Sequence, residues 1–447
     1  MSSPSRLALI GLAAVLAPLV IVGLAQAALP GNCTRSGSTV TCAWYSAGAP
    51  DEPFTVPASI ERLDVEAVGA AGGQSGTRED DGQVPGGPGA IARGTLPVTA
   101  GQTLYVQVGA PGDAGWFTSA GGFNGGGAGD ARRGGPGGGG GGGASDVRTA
   151  PFSAGLSPDP RLLIAGGGGG AGAPAWVAYD NGYFDGGVGG AAGQPGNNGT
   201  NVCTTRKGAG GGGRPGTATA GGSGGAGGTF GCDGDPTDGA KGGDGSLGTG
   251  GGGSTAMGVG GGGGGGGLYG GGQGGQGVFD PVHADFDGTG GGGGGGSSLV
   301  PADGTVTING DGAEPSVTIK YTITARCLGR RATILAVPGG GITRGTRGDD
   351  VIVGSRQADR IVSGRGDDVV CPRGGNDRVR TGAGADQVTA GAGRDRIRTG
   401  RGRDSVAPGA QRDRLDCGRG VDRARGIEPT DRVRACERIR PQTTVAT

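Results

Sequence analysis

From Gly345 to Arg434 the chain reads GTRGDDVIV GSRQADRIV SGRGDDVVC PRGGNDRVR TGAGADQVT AGAGRDRIR TGRGRDSVA PGAQRDRLD CGRGVDRAR GIEPTDRVR, ten consecutive units of nine residues. Aspartate holds the sixth place of every unit: Asp350, Asp359, Asp368, Asp377, Asp386, Asp395, Asp404, Asp413, Asp422 and Asp431. An apolar residue holds every eighth place, from Ile352 to Val433. Composition alone does not sustain such a register. Each unit reads as a glycine-containing loop and a three-residue strand whose central side chain turns inward. Two units complete one turn of a flattened coil, so units n and n+2 stack about 4.8 Å apart. The expected architecture over 344–440 is a parallel β-roll solenoid with one inward residue per unit.

The spacing resembles the calcium-binding nonapeptide repeats of the repeats-in-toxin family, G-G-x-G-x-D-x-U-x. The resemblance implies calcium between successive loops. The physics agrees: stacked carboxylates repel, and a hard dication with oxygen ligands removes that repulsion. Glycines at the second and fourth places let carbonyls turn toward the ion. The candidate ligands are Asp350, Asp359, Asp368, Asp377, Asp386 and Asp395, with Asp349, Asp367 and Asn376 at the fifth place. Units six to eight carry Arg394, Arg403 and Arg412 there, and Gln357, Gln411 and Pro429 replace the second loop glycine. Calcium is therefore expected in the first half, and arginine–aspartate pairing in the second. The alternative is a repeat that has lost calcium altogether and rests on disulfides and ion pairs.

The register has a second consequence. Places seven and nine face outward. Even-numbered units carry Arg360, Arg378, Arg396, Arg414 and Arg432 at place seven, and Arg380, Arg398 and Arg434 at place nine. Even units form one sheet, so that sheet is expected to present an arginine ladder. Residues 344–440 hold 22 arginines and 15 acidic residues, a net of +7; residues 28–343 hold 16 basic and 24 acidic residues, a net of −8. Such a face suits a polyanion: acidic polysaccharide, wall polymer or nucleic acid. The competing reading is a solvated face, or one docked on the acidic remainder of the chain.

Upstream the rules change. Glycine makes up 118 of 447 residues, and Leu, Ile, Val and Phe only about 17%. A large side-chain core is excluded. Period-two runs such as RLDVEA (62–67), TLYVQV (103–108) and SVTIKYTIT (316–324) read as half-buried antiparallel strands. Between them lie the tracts Gly137–Gly143, Gly166–Gly170, Gly260–Gly267 and Gly290–Gly296. One such tract is a linker. A set framed by strands favours packed three-residue-per-turn polyglycine helices, since only glycine allows backbones so close. The segments GGPGGGGGGGASDVR (134–148), RLLIAGGGGGAG (161–172) and GGGGGGSSLV (291–300) resemble the glycine-rich extracellular domain of the anaplastic lymphoma kinase and leukocyte tyrosine kinase receptors. That resemblance implies a β-sandwich carrying bundled polyglycine II helices. The kinase part is absent, so no receptor signalling follows.

The apolar run Leu7–Ala25 followed by Ala25-Gln26-Ala27 reads as a secretory signal peptide over 1–27. The eight cysteines, all later and none in a CxxC pair, suit an exported protein. Local pairing is the economical arrangement: Cys33–Cys42, Cys203–Cys232, Cys327–Cys371 and Cys417–Cys436, although spacing does not fix it. With His283 as the one histidine, a histidine-based triad or multi-histidine metal site lacks material. The GGSGG at 221–225 matches G-x-S-x-G only formally, and Asp280, His283, Asp285 and Asp287 read as a solvated loop. The expected organisation is a signal segment (1–27), an N-terminal Cys33/Cys42 segment (28–53), a glycine-rich domain (54–326), a connector or cap (327–343), the roll (344–440) and a tail (441–447). The function expected is that of a secreted, non-enzymatic, calcium-binding structural or adhesive envelope or matrix protein. Its alternatives are a polyanion-binding module and a hydrolase without a recognisable site.

Overall fold

The computed structural model describes residues 32–442 apart from 37, 46, 48–50, 77–82, 116–118, 131–136, 178–181, 202–208, 230–238, 254–257, 281–284, 287–288 and 338–340. The signal segment, Cys203, Cys232, His283 and Asp287 lie outside the described residues. Apart from one three-residue 3-10 turn (Phe152–Ala154), the regular elements are strands.

The alternating runs pair as antiparallel strands because each has one apolar face to bury. One six-stranded sheet runs Cys33–Ser36, Thr39–Trp44, Ser316–Thr322, Arg62–Val68, Ala90–Pro97, Thr305–Ile308. The strand Ser316–Thr322 lies between two early strands, placing Ile319 opposite both Cys42 and Val65. A four-stranded sheet, Glu52–Thr55, Thr103–Gln107, Ser145–Arg148, Arg161–Ala165, shares one buried core with the first. Val40, Leu63, Leu104, Val147, Leu163 and Ile319 are all fully buried there. The segment 28–53 is not set apart: its strands complete both sheets.

Above the sandwich the glycine tracts pack on one another. The amides of Gly137–Gly143 show how. Gly139 and Gly142 donate to Ala171 and Gly168; Gly140 and Gly143 to Asp113 and Ala110; Gly138 and Gly141 to Asp130 and Gly127. Every third amide returns to the same neighbour, which is the signature of a three-residue screw hydrogen-bonded laterally. The backbone groups that a helix or sheet would satisfy internally are satisfied between tracts. A Cβ on Gly264 would come within 2.0 Å of the Gly271 carbonyl oxygen. Asp130 anchors the bundle, accepting from the Gln273 and Gln276 side chains and the Gly261 amide.

The repeats form two parallel sheets stacked in steps of eighteen residues. The odd-unit sheet runs Ile334–Leu335, Val351–Val353, Val369–Cys371, Gln387–Thr389, Ser405–Ala407, Arg423–Ile427, Arg438–Pro441. The even-unit sheet runs Ile342–Arg344, Arg360–Arg365, Arg378–Ala383, Arg396–Gly402, Arg414–Gly420, Arg432–Arg434. The place-eight residues Ile352, Ile361, Val370, Val379, Val388, Ile397, Val406, Leu415 and Ala424 fill the space between the two sheets. The ladder begins before the first repeat, since Ile334–Leu335 and Ile342–Arg344 form a capping turn.

The outer face of the odd sheet's first strands packs on the sandwich. Val351, Val353 and Val369 join the sandwich core together with Ala325, Cys327 and Ala332. Disulfides Cys33–Cys42, Cys327–Cys371 and Cys417–Cys436 are formed. The second joins the hairpin before the cap to the odd sheet, and the third closes the C-terminal turn. Among the described residues, no helix is long and apolar enough to cross a membrane.

Candidate metal centre: two carboxylate rows

The place-six aspartates from Asp350 to Asp422 are buried although they are charged residues, Asp431 is half-buried, and the carboxylates are tied to backbone amides between turns. The amide of Asp350 donates to Asp368 Oδ1 (2.9 Å), that of Asp368 to Asp386 Oδ1 (3.0 Å) and that of Asp386 to Asp404 Oδ1 (2.9 Å). The even row repeats this, from Asp359 to Asp377 (2.8 Å), Asp377 to Asp395 (2.8 Å) and Asp395 to Asp413 (2.8 Å). Asp404 continues to Asp422, and Asp413 to Asp431. Glu437 ends the odd row, accepting the Asp422 amide at 2.8 Å. One carboxylate oxygen per turn thus closes a backbone donor that the sheet leaves open.

The other oxygen divides the roll. Asp350 Oδ2 accepts the amide and hydroxyl of Thr346, and Asp359 Oδ2 the amide of Ser355. In Asp368, Asp377, Asp386, Asp395, Asp404, Asp413 and Asp422, Oδ2 is buried without a partner. The loop backbone changes at the same boundary. From the third to the ninth unit, places two and four all take positive φ, including the non-glycines Arg373 (80°) and Gln411 (83°). The first two units do not.

Burial foremost pushes these carboxyls up, with like charges behind it in most. The hydroxyls of Ser363, Thr381 and Thr399 beside Asp368, Asp386 and Asp404 act the other way, although each donates to a backbone carbonyl of the next turn. Asp377 rises to about 7, with Asp395 and Asp359 as its charged neighbours, and Asp413 likewise to about 7. Asp368 and Asp404 rise to about 6. Asp359, Asp386, Asp395 and Asp422 are raised as well, again chiefly by burial. Rows of partnerless, desolvated carboxylate oxygens call for a cation or a proton.

The donor set fits a hard dication. Among the described residues no three metal-ligating side chains converge on one point. An ion held along a row would take carboxylate oxygen from the place-six aspartates and would need backbone oxygen for its remaining ligands. The loop carbonyls stack closely from turn to turn: a Cβ on Gly382 or Gly384 would come within 2.0 Å of the carbonyl oxygen of Gly364 or Gly366 in the preceding turn. Carboxylate plus carbonyl is the donor chemistry of calcium.

The place-five residues make a separate, exposed ladder. The amide of Asp367 donates to Asp349 Oδ1 (2.7 Å), that of Ala385 to Asp367 Oδ1 (2.7 Å), and that of Arg394 to Asn376 Oδ1 (2.8 Å). Among the described residues, Arg394, Arg403 and Arg412 form no ion pair with the place-six aspartates; the arginine–aspartate pair of the second half is Arg398–Asp416, on the outer face. Arg394, Arg403 and Arg412 are exposed, and the aspartates beside them keep an unpartnered oxygen. Asp404, Asp413 and Asp422, left out of the candidate ligand set because calcium is expected in the first half, have the same amide acceptance and the same partnerless oxygen as Asp368.

The even sheet aligns its arginines in register. Arg360, Arg378, Arg396, Arg414 and Arg432 form one column; Arg380, Arg398, Asp416 and Arg434 another; Arg365, Ala383, Arg401 and Arg419 a third. All these arginines are exposed, and among described residues on this face only Arg398 has an acidic partner, Asp416 at 3.4 Å. The face is solvated; it is the odd sheet's first strands that dock on the sandwich.

Fold and carboxylate rows together define a calcium-binding parallel β-roll. Residues 344–370 and 373–406 match the family model of the RTX calcium-binding nonapeptide repeat, in four copies. The geometry continues past that match through Asp413 and Asp422. No curated protein matches the chain.

Proposed function

We propose that this is an exported structural protein of the cell envelope or extracellular matrix, without enzymatic activity, whose roll is locked by calcium after secretion. The observation that carries the reading is the run of seven buried, partnerless Oδ2 atoms from Asp368 to Asp422. Each would be an uncompensated desolvated charge without an ion. The closed loops of Asp350 and Asp359 move the calcium positions toward the middle and C-terminal units. Export is supported by the apolar run Leu7–Ala25 with Ala25-Gln26-Ala27, and by three disulfides joining described cysteines. Low calcium inside the cell keeps the roll open, and high calcium outside folds it. A structural, adhesive role is supported by the way the first strands of the roll pack into the sandwich core and join the two modules.

The test is far-ultraviolet circular dichroism of the mature chain titrated with calcium and then with chelator. A saturable, reversible gain of β signal, with several ions bound per chain, is expected. A spectrum indifferent to both additions would remove calcium from the account. A second reading, in which the roll also holds a polyanion, rests on the exposed arginine columns of the even sheet.

A further inference from the structure

The arginine columns of the even sheet are a repeating cationic surface that the ion rows leave untouched. Along the column from Arg360 to Arg432, four parallel strand steps of about 4.8 Å cover about 19 Å. Flanking columns widen it into a flat strip. Aligned like charges one strand apart disfavour the bare sheet, so the face is built for a counter-charge.

We propose that this face binds a linear carboxylated polysaccharide, a polyuronate, laid along the roll axis. Three observations select that occupant. The guanidinium fork matches a planar carboxylate with two parallel N–H bonds, and the one anion already on the face is a carboxylate, Asp416, beside Arg398. The repeat is strict and one-dimensional, as is a polymer with one carboxylate per sugar. Nucleic acid fits less well. No aromatic residue follows Tyr321, so bases have nothing to stack on. A flat sheet also offers no helix or ribbon to enter a duplex groove.

The experiment measures binding of the calcium-loaded mature chain to polygalacturonate, with oligothymidine of equal charge as comparison, over a range of salt. The triple variant Arg378→Ser/Arg396→Ser/Arg414→Ser is expected to weaken polygalacturonate binding by about tenfold or more and to flatten its salt dependence. Arg330→Ser/Arg331→Ser, in a hairpin away from this face, should change it less than about twofold. Arg380→Asp gives a second measure. It adds an acid to a column that already tolerates Asp416, so folding is retained, and it should weaken binding several-fold. Unchanged affinity in the folded triple variant and in Arg380→Asp overturns the proposal, as does tighter binding to oligothymidine than to polygalacturonate. The arginine register comes from strand pairing and not from the ion. A negative result here leaves the calcium reading standing, and a roll that ignores calcium leaves this test valid.

Discussion

Glycine serves two different purposes in this chain. In the bundle it is required by space: side chains are absent so that backbones can approach from three sides, and the amides bond outward to neighbouring tracts. In the roll it is required by conformation: places two and four take positive φ and turn carbonyls toward the next turn. The bundle thus bonds its backbone amides tract to tract, with Ser119 Oγ and Gln276 Oε1 left as scattered neutral exceptions. The roll is left with seven carboxylate oxygens that its own atoms do not satisfy. A region closed on itself is insensitive to ions, and one with a built-in electrostatic deficit depends on them.

Calcium removal should separate the two most strongly. By hydrogen exchange, chelator is expected to strip protection from strands such as Arg396–Gly402 by several orders of magnitude, while the amides of Gly139–Gly143 stay protected. Equal loss in both regions would show that they fold as one unit. Next in size is Gly264→Val, whose Cβ meets the Gly271 carbonyl oxygen. It should lower stability by about 3 kcal/mol or more in thermal melts, against about 0.5 kcal/mol or less for Gly310→Val, where a Cβ meets nothing within 4 Å. Breaking the C-terminal clasp with Cys417→Ser/Cys436→Ser should destabilise the last turns by about 2–4 kcal/mol and the bundle not at all.

A finer distinction lies in pH. The folded roll raises Asp377 and Asp413 to about 7 and Asp368 and Asp404 to about 6, above the ordinary carboxylate value of 3.8. Between these values the folded state holds protons that the unfolded chain has released, so its stability falls as pH rises. In chelator the roll should therefore be better protected at pH 5 than at pH 8. With calcium the order should invert, because protons compete with the ion for the same oxygens. The smallest effect separates the two kinds of loop. Asp404→Asn should remove measurable calcium stoichiometry or affinity in calorimetry, whereas Asp359→Asn, whose second oxygen already accepts Ser355, should leave it unchanged.

The roll was legible because its phase is carried by invariant chemistry. Aspartate at place six and an aliphatic residue at place eight dictate which side chains turn inward. The outward arginines of the even units then align without further information. The boundary between closed and open loops was not legible in that pattern. It depends on whether Thr346 and Ser355 reach back to their own aspartates, and those residues resemble any small polar loop residue. Arg394, Arg403 and Arg412 misled for a related reason: adjacency in sequence suggested ion pairs, but the loop leaves place five exposed and buries place six.

Periodicity alone was enough for the coil, its thin aliphatic core and its arginine columns, because a strand's two-residue alternation leaves each side chain only one side to occupy. Packing in three dimensions decided the rest. The first strands of the odd sheet are covered because Val351, Val353 and Val369 find the sandwich core, while its last strands and the even sheet's arginines stay in water. Which glycine amide bonds to which tract is also a tertiary matter, since identical residues hold no local information and only the whole assembly satisfies every donor.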